Sequence, residues 1–447
     1  MTRIVALDIG TSSVRVQAFG DEAREAGELA QRAYTGETDP DALVAAAREG
    51  FGAVDGAGFD AVGASCFGHS LLALDAAGRP LTAVLGWSDT RSADAADRLA
   101  RQLDREAVHA RTGCHIHTSY WPAKLAWLAE EQPDVFRAAT RFVSFADYLY
   151  MQLLEVDEVP TSLSLASGTG LLDLSTRAWD RELLDVLGVE SERLPQIDDS
   201  PVNGWFPALH DGSCANVGAG CVSRERAALT VGTSSAFRTV YEAENPRPKP
   251  GLFLYNVDER RVVEGGALSD GGNVYEWINS TLEESSGSVA DRDPDSHGLT
   301  FLALLGGERS PGWHVHAKGA VHGLTFETTP LDLKQAALEG VAFRLAEIAE
   351  LMPEVEEIVA TGGALLHDDD WLQIVADALG RPLTVSGVKE ASLRGAAVIA
   401  LERLGLAVAD ARLGRVVEPR PEHAAAYAAA RERQRELYRA ATGAETS

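Results

Sequence analysis

Two short segments of this 447-residue chain carry the same residues in the same order. Residues 6–13 read ALDIGTSS and residues 228–235 read ALTVGTSS, an offset of 222 residues. Each lies on an apolar run, and each is followed by a second strand-like stretch, VRVQAF in the first copy and AFRTV in the second. Both therefore spell strand, tight turn, strand. Glycine in such a turn allows close backbone approach and positive φ. Consecutive exposed N–H groups form a concave nest for anions, and the Thr and Ser hydroxyls add donors. Two such hairpins facing each other can hold a polyphosphate from both sides. The copies differ where mechanism is concerned, because Asp8 in the first is Thr230 in the second. A carboxylate beside a phosphate turn can orient magnesium, directly or through water. The plainer role for Asp8 is to cap the turn.

Two further segments carry chemistry. Residues 358–365, IVATGGAL, read as strand, Gly-Gly loop and the start of the helical run WLQIVADAL. A helix beginning after a glycine-rich loop can bind phosphate or lie close to a nucleotide, although any α/β protein has such loops. Asp211 opens the Gly/Ser/Ala/Asn-rich stretch DGSCANVGAGC. Beside a helix N-terminus it stays ionised and can accept a proton, or it can act as an N-cap alone.

The elements that must position these residues alternate between strand-like and helical patterns. Residues 119–131, 332–351 and 371–379 read as helices, and 141–145 and 383–386 as strands, which argues for α/β layers. A repeat at half the chain length suggests a duplicated domain, with the boundary near 220–225, giving units 1–222 and 223–447. Residues 243–251 hold three prolines and read as a loop, and 279–297 read as an exposed connection. Residues 422–441 read as a helix expected to pack on the second half.

Composition narrows the setting. There are 67 acidic and 40 basic residues, a formal net charge of -27. Such a surface repels nucleic acid and anionic membranes, so cations must be gathered locally if the substrates are anions. Cys66, Cys114, Cys214 and Cys221 form no CxxC pair and no zinc spacing, which suits free thiols in a reducing compartment. MTRIVALDIG lacks a leader's apolar run, and no stretch nears 18 uninterrupted apolar residues. A cytoplasmic protein without membrane or nucleic-acid partners is expected.

These motifs resemble those of the FGGY carbohydrate kinases, and the resemblance runs almost end to end. DIGTSSVR at 8–15 is similar to the family's first phosphate motif and TVGTSSAF at 230–237 to its second. ATGGAL at 360–365 resembles the adenosine motif, GWSDTR at 86–91 a segment shaping the sugar pocket, and DGSCANVGAGC the catalytic loop. The most specific match is GAVHGLTFETTPLDLKQAALEG at 319–340. The other family signature is half present: KLAWLAEE at 124–131 fits, whereas SYWP before it is one register off. The chain is also shorter than most members, so peripheral loops are expected to be missing. FGHSLLALD, SYWPAKLAWL, SGTGLLDL and GGERSPGW resemble the gluconokinase-type branch.

The resemblance implies two actin-like, ribonuclease H-like α/β domains related by duplication, with an ATP and sugar cleft between them, and an enzyme using ATP and Mg2+ to phosphorylate a sugar, polyol or sugar acid. It implies Asp211 as catalytic base, Asp8 as magnesium site, and Gly10, Thr11, Ser12 and Arg15 near the transferred phosphate. Gly232 and Thr233 would hold phosphates from the other half, and Gly362, Gly363 and Ala364 would lie against adenosine. Gly68 and His69 match the family's sugar contacts, with Asp89 and Arg91 as second choices. Trp87 and Trp121 can wall a carbon chain, although core packing is the ordinary reading of each. A substrate carboxylate would call for a cation, with Arg91, Lys124 and Arg309 as candidates. Lys124 is read, on balance, as an ordinary helix-surface residue. A xylulose-type or other polyol kinase, an actin-fold chaperone or phosphatase, and a catalytically dead sensor are the competing readings. No peptide-binding appendage or basic helix-turn-helix supports the last group. A homodimer is the default oligomer, because closed symmetric dimers are common.

Overall fold

The computed structural model describes residues 2–34, 36, 38–54, 58–282 and 288–443. Its apolar runs pair into two principal sheets. The first has five strands in the order Ala30–Ala33, Ser13–Phe19, Ile4–Ile9, Ala61–Cys66, Leu209–His210. The first three are antiparallel neighbours, and the last two join in parallel. The second sheet repeats this plan with Arg261–Leu268, Ser235–Glu242, Arg226–Val231, Glu357–Thr361 and Leu383–Ser386. An additional strand sits at each edge, Phe253–Asn256 and Leu413–Val417. The kinship visible in one four-residue turn thus extends over five strands of each half. The central strands Ile4–Ile9 and Ala61–Cys66 are buried along their whole length, and Arg226–Val231 nearly so, as expected where helices cover both faces.

Local signals account for the helix limits. Thr329 and Asp332 form a reciprocal cap on Pro330–Glu350, with proline in its first turn. Asp368 caps Asp369–Leu379, which Gly380 ends in the left-handed conformation. The run 119–131 begins its helix at Trp121, again with proline in the first turn. The run 141–145 is only partly a strand. It stops at Val143 because Ser144 and Asp147 cap the helix Phe145–Leu154, which already contains Phe145. Residues 243–251 form neither helix nor strand. In the stretch 279–297, the helix Gly272–Thr281 runs into the start, and residues 283–287 lie outside the described residues. The last helix, Ala424–Thr442, packs on Pro330–Glu350 and on Thr300–Leu302 of the second half. Among the described residues no helix is long and apolar enough to cross a membrane.

Two helices tie the halves together. Asp211–Gly218 leads out of the first sheet toward the second. Ala391–Arg403 follows the strand Leu383–Ser386 of the second sheet in sequence, yet it packs on Ile4–Ile9, Ser13–Phe19 and Ala61–Cys66 of the first. The two helices touch backbone to backbone. A Cβ on Gly218 would lie 1.8 Å from Ala391 O, and one on Gly395 would lie 1.9 Å from Cys214 O. Gly63 meets the returning helix in the same way, its Cβ position 2.6 Å from Ala396 O. Replacing Gly218 or Gly395 by alanine should therefore overpack a backbone contact and lower stability by about 1–3 kcal/mol or more. Gly52, whose Cβ would meet nothing within 4 Å, should tolerate alanine. Urea denaturation of the three variants measures the difference.

Candidate active site

The first turn closes with Gly10 N–H donating to Ser13 O at 3.0 Å, and the second with Gly232 N–H donating to Ser234 O at 2.9 Å. Strand pairing begins at Ile9–Val14 in the first and at Val231–Ser235 in the second. The identical GTSS strings thus span loops differing by one residue. Both loops line a single cleft between the halves, with about 1140 Å³ of free space open to solvent.

Asp8 stands where the first strand meets its turn. Ser65 Oγ, on the parallel neighbour, donates to Asp8 Oδ1 at 2.8 Å, and Arg15 Nη1 donates to Oδ2 at 3.3 Å. The same rung of the second sheet pairs Thr230 Oγ1 with Thr361 Oγ1 at 2.7 Å. A partly buried hydroxyl pair thus replaces a buried carboxylate. Burial pushes Asp8 up to about 6, against the opposing pull of Arg15 and the Ser65 hydrogen bond. Arg15 also reaches Glu390, just before the returning helix, at 3.4 Å.

Asp211 begins its helix where the strand Leu209–His210 ends. Its Oδ1 accepts from Gly212 N–H at 2.8 Å and lies 3.0 Å from His210 Nδ1. Protein surrounds the carboxylate, yet 43% of the side chain is open to the cleft. Burial alone would raise its pKa. The His210 hydrogen bond, with the Arg238 guanidinium, outweighs it and holds the group well below the usual carboxylate range. Asp211 is therefore ionised and faces the cleft.

Histidine, tyrosine and arginine make the floor. His69, at φ 64°, places its ring centroid 4.9 Å from those of His210 and Tyr120. Gly68 is required beside it, since a Cβ there would fall 2.1 Å from His210 Nε2. The Tyr120 and Tyr255 hydroxyls, one from each half, lie 2.5 Å apart. Arg309 donates through Nη2 to Leu268 O at 2.6 Å and stacks 4.5 Å above Trp87. The buried Nε atoms of Arg309 and Arg238 have no hydrogen-bond partner, and both side chains line the cleft.

The structure brings Asp8, Gly10, Thr11, Ser12, Arg15, Gly68, His69, Trp87, Asp211, Gly232, Thr233 and Arg309 to this cleft. Other candidates lie elsewhere. Asp89 and Arg91 pair with each other at 3.0 and 3.1 Å, Arg91 lies over Trp127, and neither lines the cleft. Gly362, Gly363 and Ala364 sit behind the second turn: a Cβ on Gly362 would lie 2.3 Å from Val231 O, and one on Gly272 2.8 Å from Ala364 Cβ. Trp121 is a core residue, its Nε1 donating to Ser70 O at 2.8 Å. The helix-surface reading of Lys124 is overturned. The lysine is 2% exposed, its Nζ donates to His69 O at 2.5 Å and Ser119 O at 2.9 Å, and burial pushes its pKa down to about 7. It braces the His69 backbone from behind. Sequence reasoning missed Tyr120, Tyr255, Arg238 and His210. Tyr255 and Arg238 come from separate strands with no motif, Tyr120 stands inside SYWPAKLAWL without having been singled out, and His210 stands beside Asp211 in plain sight.

Asp8 yields a test. Its value in the folded protein, about 6, lies above the ordinary 3.8. The folded state therefore holds this proton more tightly, and the group's contribution to stability falls as pH rises from about 4 to about 6. Asp8→Asn should stabilise the ligand-free protein at pH 7–8 by about 3 kcal/mol, taking 1.4 kcal/mol per pH unit, and the gain should vanish below about pH 4. Thermal unfolding across that range measures it.

Comparison with known proteins agrees with this geometry. A model of the N-terminal domain of the FGGY family of carbohydrate kinases matches residues 3–203, and one of the C-terminal domain matches residues 227–402. The gluconokinase of Bacillus subtilis (strain 168) is 29% identical over 376 residues, covering 75% of this chain and 73% of its own. The xylulose kinase of Staphylococcus xylosus is 24% identical, covering 90% of each. Among solved structures, gluconate kinase from Lactobacillus acidophilus superposes with a TM-score of 0.85 at 26% identity, covering 98% of both chains. Ligand-bound xylulose kinase from the same species gives 0.86 at 26% identity, covering 100% of this chain and 99% of its own. With both domain models matched in order and the whole chain superposed, the protein belongs to the FGGY family of carbohydrate kinases and has its two-domain, actin-like (ribonuclease H-like) fold.

Proposed function

We propose that this sugar kinase transfers the γ-phosphate of ATP to a hydroxyl of a small sugar acid, with gluconate the first candidate, and that Asp211 is the general base. The observation that carries the sugar-acid reading is Arg309. It is 9% exposed, faces the cleft beside Tyr120, Tyr255, Arg238 and Asp211, and has an unpartnered Nε. A neutral polyol offers such a group only weak acceptors. A carboxylate gives charge-assisted, two-pronged hydrogen bonds. The likeness to gluconate kinases points the same way. The likeness to xylulose kinases makes a pentulose the second reading.

In this assignment Gly68 and His69 hold the sugar near Asp211. As the substrate oxygen bonds to the γ-phosphorus, its proton passes to Asp211 and the bond from phosphorus to the ADP oxygen breaks. Little covalent help is needed; positioning and charge neutralisation are the protein's part. Thr11, Ser12 and Arg15 neutralise the transferred group from one side, and Gly232 and Thr233 hold the remaining phosphates from the other. Gly362, Gly363 and Ala364 border adenosine behind the second turn. Asp8 fits a magnesium held through water. It is one buried carboxylate among hydroxyls whose charge burial disfavours and a cation would favour, and magnesium keeps several waters. Held there by Asp8, that ion would neutralise phosphate charge. Asp89 and Arg91 are left out of the substrate contacts. Closure of the halves would exclude water from the transfer, and ATP supply places the enzyme in the cytoplasm.

A coupled ADP-release assay with Mg-ATP and a panel of sugars, polyols and sugar acids tests the reading. Gluconate should be turned over with the highest kcat/KM. Release with a ketopentose and none with sugar acids would discard the sugar-acid assignment. Arg309→Gln should raise KM for gluconate about tenfold or more while changing that of a neutral sugar little. Asp211→Asn should cut kcat by about 10²–10⁴ while nucleotide binding, read by fluorescence titration, persists.

A further inference from the structure

His210 is linked to both the candidate base and the sugar-binding loop. Its Nδ1 lies 3.0 Å from Asp211 Oδ1 and 3.0 Å from Gly212 N. Its Nε2 lies 3.4 Å from Nε2 of His69, whose Nδ1 lies 2.5 Å from Gly168 O. A carbonyl only accepts, so His69 carries its hydrogen on Nδ1 and offers a lone pair at Nε2. Burial, then His210 and the cations Lys124 and Arg309 hold His69 neutral. His210 must then carry a hydrogen on Nε2. Its remaining nitrogen faces Asp211 and has two states. Without a proton it accepts the Gly212 N–H; with one it donates to the carboxylate and leaves that N–H to Asp211 Oδ1, 2.8 Å away. The ring cannot swing to another partner. A Cβ on Gly68 or Gly168 would already collide with it, and the tilted Tyr255 ring lies 5.2 Å from it, centroid to centroid.

We propose that His210 is a positioning residue for phosphoryl transfer: it aims the Asp211 carboxylate at the substrate hydroxyl and, through the proton on Nδ1, sets how readily that carboxylate takes the substrate's proton. The two functions come from one hydrogen bond. A proton on Nδ1 keeps Asp211 ionised; its absence makes Asp211 the stronger base. The titratable and charged groups facing the pair are His69, Tyr255 and Arg238, with Tyr120, Arg309, Lys124 and Asp8 beyond them. Arg238 also holds Asp211 low, but more weakly than His210, so removal of His210 should dominate.

The inference rests on Asp211 as base, which Asp211→Asn tests separately: retained turnover there removes the base assignment itself. With that settled, kcat is measured against pH at saturating Mg-ATP and saturating accepted sugar, whichever sugar that is. His210→Ala should lower the plateau about tenfold and move the acid limb up by about one pH unit or more, because Asp211 loses the partner that keeps it ionised. His210→Asn places an amide nitrogen near the Nδ1 position and keeps the aim without the charge. It should hold the plateau within about threefold of the parent and still move the acid limb. The asparagine variant also guards against an alanine variant that fails to fold. An acid limb that coincides with the parent's in His210→Asn overturns the proposal, whatever the plateau, and reduces His210 to a packing residue.

Discussion

Where the two linking helices cross, no atom of side chain separates their backbones. Gly218 lies against Ala391 and Gly395 against Cys214, and each helix begins at the cleft. Asp211 is the first residue of one, and Glu390 and Ser392 stand at the start of the other. Close-packed interiors do not absorb an added methyl group easily. The crossing therefore fixes how far apart Asp211 and the first GTSS turn can be, since Arg15, on the strand that follows that turn, is held by Glu390. A contact with no chemistry of its own sets the reach of every group that has some.

The cleft reverses the sign of the molecule around it. The chain carries a formal charge of -27, yet Arg15, Arg238 and Arg309 line one cavity. Two of the three are buried deeply enough that burial lowers their pKa, although arginine remains charged. Leaving guanidinium nitrogens unpaired in such a place is unfavourable, so the site is destabilised until an anionic ligand arrives. Asp8 carries the opposite strain, a carboxylate driven upward by burial. Stability given up in both signs at one place is what the binding of anions and a cation proposed above would require.

Much of this was legible in sequence because turns, caps and repeats are local. The GTSS copies announced the duplication, the helical pattern of 332–351 announced the helix Pro330–Glu350, and Asp211 stood in a recognisable loop. What was not legible depends on long-range packing. Lys124 has the pattern of a helix-surface residue, and only the fold brings His69 O and Ser119 O to its ammonium group. Tyr120 and Tyr255 are 135 residues apart in sequence and meet only through the contact between halves. Asp89 and Arg91 had the residue types of a sugar site, but two opposite charges two residues apart satisfied each other first. Strand register was hidden too, since identical strings close loops of different length.

That difference bears on how a duplicated fold comes to hold one reaction. Two equal hairpins would present equal carboxylates to the same polyphosphate, and like charges across a narrow cleft oppose each other's ionisation. Here the second copy has Thr230 bonded to Thr361 where the first has Asp8 bonded to Ser65. The hydroxyl pair keeps the rung satisfied without a charge. One half then supplies the carboxylate, and the other presents neutral donors together with Arg238, which reaches Thr230 from the neighbouring strand at 3.4 Å. The asymmetry leaves the two walls of the cleft unlike, Asp8 on one and Thr230 on the other, and in the function proposed above that difference sets the direction of transfer toward Asp211.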